Sequence, residues 1–221
     1  MFEIIENKKL LSGLLLIAVI GDFVVPYVLA LFYRDYKHTT MVMSSLGNPK
    51  SPVRGIYNIW LVILGVLLII SCNLIKLRYY SVSKGYSVAT IILILTFAIG
   101  AGIISGIFSV NESKEVVTMA SKVHGAFSAM GFMFLLFVSL LLAILSIKNG
   151  DKIIGIFFIV CFVLALIFFV LFVLADKPEF QDTIIAYEGI WQRLTLLFMY
   201  VPLGFIAITE LFSTKLANSC Q

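Results

Sequence analysis

Charged residues and histidines are scarce in this sequence. Asp, Glu, Lys and Arg account for 13% of the 221 residues, only two residues are histidine, and 61% are hydrophobic. A soluble domain carries about a quarter charged residues, so the composition excludes a water-soluble enzyme and a soluble nucleic-acid-binding domain. The mean hydropathy of +1.08 is typical of a polytopic membrane protein.

Metal and cofactor motifs are also missing from the sequence. The three cysteines share no metal-binding spacing, and nucleotide-binding loops, haem motifs and iron–sulfur spacings are absent. Catalytic zinc typically needs about three protein ligands. Here such a set would have to join His38, Asp22 and His124, which lie in distant segments. We therefore expect no metal and no cofactor.

Six long apolar runs divide the chain. A helix needs about 20 apolar residues to cross a hydrocarbon core of about 30 Å, whereas barrel strands would show short alternating runs. The runs cover residues 10–33, 56–75, 88–110, 123–147, 153–174 and 190–212. The sequence predicts an all-α fold in which residues 1–221 form one domain, a bundle of six transmembrane helices.

The formal net charge of +4 bears on orientation rather than on nucleic acid. With six spans both termini lie on one side of the membrane, and lysine and arginine are denser in the connections on that side. Basic residues concentrate on the cytoplasmic side of membrane proteins. We therefore expect a multi-pass protein of the cell membrane with both termini in the cytoplasm.

Small residues mark the third and fourth spans. The third contains Gly102 and Gly106, and the fourth opens with the sequence HGAFSAMG, which places Gly125 and Gly131 in its outer half. Small residues four apart allow helix backbones to approach closely in lipid. These spans are expected to pack against each other, and their small-residue faces are candidates for homo-oligomer contacts.

The connections on the outer side are longer than a helical hairpin requires, and the first of them carries the most distinctive sequence. Residues 44–52 read SSLGNPKSP, in which Pro49 and Pro52 exclude a regular helix. Apolar residues just before Gly47 predict a short helix at the membrane interface, with Ser44 and Ser45 near the membrane surface. Loops longer than a connection needs often bind or react.

His124 is the first candidate for chemistry, since an ionisable group at membrane depth is costly and marks function by default. If this stretch is helical, Ser121 and Ser128 share its face. The histidine then acts either as a general base that activates a serine or as an interfacial residue hydrogen-bonded to a loop carbonyl.

Arg193, one turn into the sixth span, is the second candidate. Its guanidinium needs a partner carboxylate or a lipid phosphate. Glu188 lies five residues earlier, and Asp22, in the first span beside Gly21 and before Pro26, lies at a plausible depth. The alternatives are an Arg193–Asp22 pair that joins the first and sixth spans and a headgroup anchor.

These residues form a pattern that resembles the bacterial Domain of Unknown Function family 998. The pattern consists of Tyr36, the stretch Ser44–Pro52, Asn58, His124 and the element GIWQRL at Gly189–Leu194. The resemblance covers nearly the whole chain and implies six helices with outward-facing polar elements. A more distant resemblance connects the chain with the Frag- and Sfk-type eukaryotic membrane proteins associated with lipid remodelling.

We predict that Ser45, Asn58, His124 and Arg193 converge on one outward-facing pocket. The leading hypothesis is a hydrolase or acyl transferase that acts on a membrane lipid or a lipid-linked group. In it His124 is the base, and Ser44 or Ser45 is the nucleophile or orienting group. Substrate binding is assigned to Arg193, Asn58, Asp22 and Glu188. No Gly-x-Ser-x-Gly motif supports this hypothesis.

Other functional classes stay open from the sequence alone. One is a non-catalytic lipid-binding or accessory protein, and another is a small proton-coupled transporter in which Asp22 faces a water-filled path. No repeat between the two halves of the chain supports the transporter. A sensor that binds partners is disfavoured on the cytoplasmic side, since the loops there are short.

Overall fold

The computed structural model describes residues 7–111 and 116–213, and no β-strand occurs within them. Six helices in this part of the chain are long and apolar enough to cross a membrane. They are α1 (Lys8–Ala30), α2 (Arg54–Tyr79), α3 (Lys84–Ile107), α4 (Met119–Lys148), α5 (Lys152–Leu174) and α6 (Glu188–Phe212). The predicted all-α, six-helix membrane architecture is confirmed.

The helix ends differ from the predicted spans by a few residues. The first span was expected to reach residue 33, but α1 ends at Ala30 and the apolar residues after it form a turn. Conversely, α4 begins four residues before the predicted position, because Thr118 and Ser121 form a capping box. The predicted bounds follow the apolar residues, which indicate contact with lipid, whereas the start of α4 is fixed by capping side chains.

The six helices are arranged as a ring. Each helix packs against the next one in the chain, and α6 closes the ring by packing against α1. Short connections between antiparallel helices favour this order of neighbours. The longer connections, which follow α1, α3 and α5, all lie at one end of the bundle. We call this end the loop side and the end that holds Lys8 and Phe212 the terminal side.

The terminal side of the ring is closed by charge pairs and by packed side chains. Glu210 of α6 accepts from Arg78 Nη1 of α2 at 2.6 Å, and its other oxygen lies 3.2 Å from Lys8 Nζ of α1. A hydrogen bond of 3.1 Å joins Tyr79 of α2 to Ser146 of α4. These contacts join α2 to α6 and to α4, so they tie together helices that are not direct neighbours in the ring.

The small residues of α3 allow two neighbouring helices to approach closely. The helix contains a π-helical segment, Ala98–Ile104. A Cβ atom at Gly100 would lie 2.7 Å from the Phe127 carbonyl oxygen of α4, and one at Gly65 of α2 would lie 2.5 Å from the Ala98 carbonyl oxygen. The expected packing of the third span against the fourth is therefore present, whereas homo-oligomer contacts through these faces stay a prediction.

The fifth span and the first loop differ in burial. In α5 the buried residues are Gly155, Phe158, Cys161 and Ala165, so most of this helix faces outward. In the first loop the predicted short helix is a 3₁₀ helix of five residues, Met43–Gly47. Its apolar side chains join the hydrophobic core of the bundle, so this turn is tied to the helices.

A pair of glycine substitutions tests the close approach of α2 and α3. Replacing glycine by alanine in a helix ordinarily stabilises it by about 1 kcal/mol. At Gly65 the added methyl group meets backbone atoms, so we expect Gly65→Ala to lower the melting temperature in detergent. Gly13→Ala, where no atom lies within 4 Å of the new Cβ, should leave it unchanged or raise it. Equal effects of the two changes would contradict the packing described here.

Candidate functional site

A cavity of about 320 Å³ occupies the loop-side half of the ring, and all six helices contribute to its wall. It reaches inward to Asp22, which lies eight residues before Ala30 (30 − 22 = 8), or about 12 Å at 1.5 Å per residue. A larger depression of about 960 Å³ is lined by Thr40 and by residues of the last loop and the start of α6. It contains no residue from the helix interiors, so the central cavity is the better candidate site.

The wall of the cavity is mostly apolar, and its polar side chains come from four helices and the first loop. Aromatic rings of α3, α4 and α5 form one side, with Phe97 and Phe132 packed edge to face at 5.8 Å and Phe132 and Phe172 stacked at 6.3 Å. Polar side chains at the cavity are those of Asp22, Ser44, Ser105, His124, Ser128, Glu188 and Gln192. Ligand sites commonly combine an apolar wall with a few polar groups.

His124 is buried at the cavity wall, and the position of its proton follows from its hydrogen bonds. Its Nδ1 atom lies 2.8 Å from the Phe108 carbonyl oxygen and 3.3 Å from that of Ser105. Because a carbonyl oxygen only accepts, Nδ1 of the neutral ring carries the proton and Nε2 keeps its lone pair. The predicted hydrogen bond to a carbonyl is therefore present, whereas the role of general base stays a prediction for a ring that lines the cavity.

The serines expected beside His124 have other partners. Ser105 donates to the Gly100 carbonyl oxygen at 2.9 Å, so at 2.7 Å it accepts the proton of Ser128. Ser121 belongs to the capping box at the start of α4. The histidine therefore does not activate either serine of its own helix in this arrangement. Ser44, from the first loop, is the remaining predicted serine that lines the same cavity.

Asp22 is buried at the inner end of the cavity and is held by two neutral donors. The Tyr200 hydroxyl of α6 donates to Oδ2 at 2.9 Å, and the Trp60 indole of α2 donates to Oδ1 at 3.4 Å. The carboxyl group therefore joins three helices. Because Arg193 binds elsewhere, the Arg193–Asp22 pair considered from the sequence is wrong.

Arg193 is directed at the first loop rather than at the cavity. Its Nη1 atom donates to the carbonyl oxygens of His38, Met41 and Gly189 at 2.7–3.2 Å, and its Nη2 atom donates to the Tyr36 hydroxyl. A Cβ at position 189 would lie within 2.5 Å of Met41 O. The Gly-x-x-x-Arg element is explained by this geometry: the glycine admits the loop, and the arginine one turn later binds it.

The remaining predicted residues are divided between two places. Glu188 lines the central cavity, whereas Ser45 lines a separate groove that leads toward Asn111 and Ser121. Asn58 donates to the Ser109 hydroxyl at 2.8 Å and so ties α2 to the end of α3. Of the four residues expected to converge, His124 alone lines the cavity.

Sequence reasoning missed three residues of the site. Gln192 lines the cavity and accepts from the Met43 amide at 2.7 Å, which fixes the loop beside it. Trp60 and Tyr200 hold Asp22. A glutamine followed by an arginine at the start of an apolar span is a usable signal, but nothing in the sequence pairs a tryptophan and a tyrosine with an aspartate from another helix.

The ring of six apolar helices defines a polytopic integral membrane protein. The chain belongs to the family described as Protein of unknown function (DUF998), whose model matches residues 16–209. This result confirms the family resemblance carried by the loop and GIWQRL motifs; the more distant Frag and Sfk resemblance is unconfirmed. No curated protein and no solved structure matches the chain.

Replacing Arg193 tests the attachment of the first loop. Arg193→Lys keeps the charge but cannot reproduce the planar set of donors that reaches His38, Met41 and Tyr36. We expect a loss of about 1–3 kcal/mol in unfolding free energy, as for buried hydrogen-bonding groups left without a partner. Arg34→Lys, on an exposed residue of the same loop, is the control. Equal stability of the two variants, measured by thermal unfolding, would contradict this attachment.

The stability of the loop attachment should depend on pH through His38. Burial and the Arg193 guanidinium lower the pKa of His38 below its ordinary value. The unfolded chain therefore binds this proton more tightly, so the stability contributed by neutral His38 is present above the unfolded pKa of about 6.5 and is lost as the pH falls through the lower folded value. Between about pH 7.5 and about pH 5 we expect the melting temperature to fall further in the wild type than in His38→Gln. Parallel decreases would show that another group is responsible.

Proposed function

We propose that this protein binds a membrane lipid or a lipid-linked group in the central cavity, with its long loops on the outer side of the cell membrane. The observation that carries the proposal is the cavity itself, which is lined by all six helices. Aromatic rings of α3, α4 and α5 form one side of it, and polar side chains come from α1, α3, α4, α6 and the first loop. A volume of about 320 Å³ lies at the lower end of the range for small-molecule sites. It suits part of a lipid, such as one chain with its polar end, rather than a whole two-chain lipid.

The position of His124 supports a hydrolase or acyl transferase acting on that ligand. General acid–base catalysis requires a titratable group that lines the site and keeps a free lone pair. In His124 the two carbonyl contacts occupy Nδ1 and hold the ring in place, so Nε2 is the atom available to accept a proton. The Ser44 hydroxyl or a water molecule is the group from which His124 takes the proton.

A proton-coupled transporter is the second candidate, and one observation favours it. Asp22 lies at the inner end of the cavity on a helix that contains Pro26, and Ala101 of the π-helical segment Ala98–Ile104 of α3 lines the same cavity. Prolines and π-helical segments are places where helices bend, and transporter sites are typically formed where helices are discontinuous. In this reading the Arg78–Glu210 contact would open on the terminal side to release the substrate.

The proposal is tested by lipid mass spectrometry of membranes and of purified protein. Cells express the wild type, His124→Asn or Ala129→Phe at matched membrane levels. His124→Asn keeps a donor for the Phe108 carbonyl oxygen but removes the basic nitrogen. Ala129→Phe fills the cavity from α4, whereas the control Ala126→Phe changes the same helix at a position that does not line it.

We expect wild type and Ala126→Phe to carry a lipid through purification, and Ala129→Phe to lose it. A lipid species that changes with the wild type and reverts with His124→Asn would support catalysis and identify the substrate class. Unchanged lipid profiles with retained lipid would exclude His124 as a base and leave a lipid-binding protein. Equal occupancy in the two phenylalanine variants would exclude the cavity as the lipid site.

A further inference from the structure

The lysine, arginine, aspartate and glutamate side chains that could give the cavity wall a charge are all acidic. Asp22 lies at its inner end, and among the described residues of its wall there is no lysine or arginine. Arg193 was expected to anchor a phosphate, but its guanidinium group donates its hydrogen bonds to the first loop instead. A lipid phosphate or a fatty-acid carboxylate placed deep in this cavity would face Asp22 without a compensating cation, which costs free energy in a low-dielectric site.

The surroundings of Asp22 lack a cation but not hydrogen-bond donors. The carboxyl group is 4% exposed and accepts from the neutral Tyr200 and Trp60 side chains. The ion pairs of Glu210 with Lys8 and Arg78 lie at the terminal side, at the other end of the bundle from the cavity. Buried carboxylates in proteins are ordinarily paired with a cation, and here the cavity is the open approach to this group.

Aromatic rings stand next to the carboxyl group. Tyr57 and Phe97 line the cavity together with Asp22, and the Phe97 ring packs edge to face with Tyr200 at 6.1 Å. The faces of aromatic rings attract ammonium groups, as in sites for choline and methylated lysine. An inorganic divalent cation instead takes about six oxygen ligands, and the described residues include no group of acidic, histidine or cysteine side chains that would hold a metal.

We propose that the ligand of this cavity is a cationic amphiphile, a single apolar chain that ends in an ammonium group. This inference rests on the proposed lipid site and specifies its ligand. The ammonium group pairs with Asp22 on the α1 side, beside Tyr57 and Phe97. The chain lies across the cavity against Phe132 and Phe172, on the side where α5 faces the membrane.

Three probes with the same chain and different charge test this inference. Dodecyltrimethylammonium is the cation, dodecanol the neutral probe and dodecanoate the anion. Each is titrated into the full-length protein in a neutral maltoside detergent, and the apparent Kd is taken from the rise in melting temperature with concentration. Fluorescence of Trp60 in a Trp191→Phe background reports binding next to Asp22, since the chain contains two tryptophans.

We expect the wild type to bind the cation at least about tenfold more tightly than the other two probes, since a desolvated charge pair is lost with them. Asp22→Asn keeps the shape of the side chain and should reduce this preference to less than about threefold. Asp151→Asn, which removes a carboxyl group outside the cavity, should retain it. If the ammonium group binds next to Asp22, we also expect the emission of Trp60 to change with the cation but not with dodecanol.

The possible failures have different meanings. If the wild type binds all three probes equally, the ligand charge is wrong while the lipid site stands. If dodecanoate binds most tightly, the inference is likewise overturned. If none of the probes raises the melting temperature, the lipid site itself is refuted. The wild-type comparison decides these cases even if Asp22→Asn does not fold.

Discussion

The attachment of the first loop to α6 is the interaction on which the site depends. Gln192 and Arg193 are adjacent at the start of that helix and bind different parts of the loop, one at the Met43 amide and the other at the carbonyl oxygens of His38 and Met41. Buried backbone groups must find partners, and here two side chains satisfy several of them. Together with the burial of Met43 and Leu46 in the core, this attachment places Ser44 at the cavity.

The acidic side chains at the two ends of the ring have different kinds of partner. On the terminal side, charged groups of opposite sign meet in the Lys8–Glu210–Arg78 cluster and close the bundle. Toward the loop side the ring opens into a cavity whose deep carboxyl group meets neutral donors. Ionisable groups inside a membrane protein almost always pair with one another or face the interior of the bundle, and the two ends illustrate these two cases.

The family motifs acquire a physical meaning in the fold. Asn48 accepts the amides of Lys50 and Ser51 and donates to the Ser45 carbonyl oxygen, which shapes the turn before α2. Gly189 admits the loop that Arg193 binds. These motif residues hold the loop, whereas His124 alone among the predicted convergent set reaches the cavity. The predicted convergence of Ser45, Asn58 and Arg193 with His124 on one pocket is therefore not observed, and the outward orientation of the cavity stays a prediction.

The sequence by itself determined the number of helices, the membrane class and the family, because hydropathy over about 20 residues reports transfer into lipid directly. It also singled out Asp22 and His124, since ionisable groups at membrane depth are rare. Only the tertiary structure decided their partners. Trp60 and Tyr200 donate hydrogen bonds to Asp22 from other helices. The carbonyl oxygens of Ser105 and Phe108, at the end of α3, orient His124. Such partners depend on which helices become neighbours and on how each is rotated, and no local pattern records that.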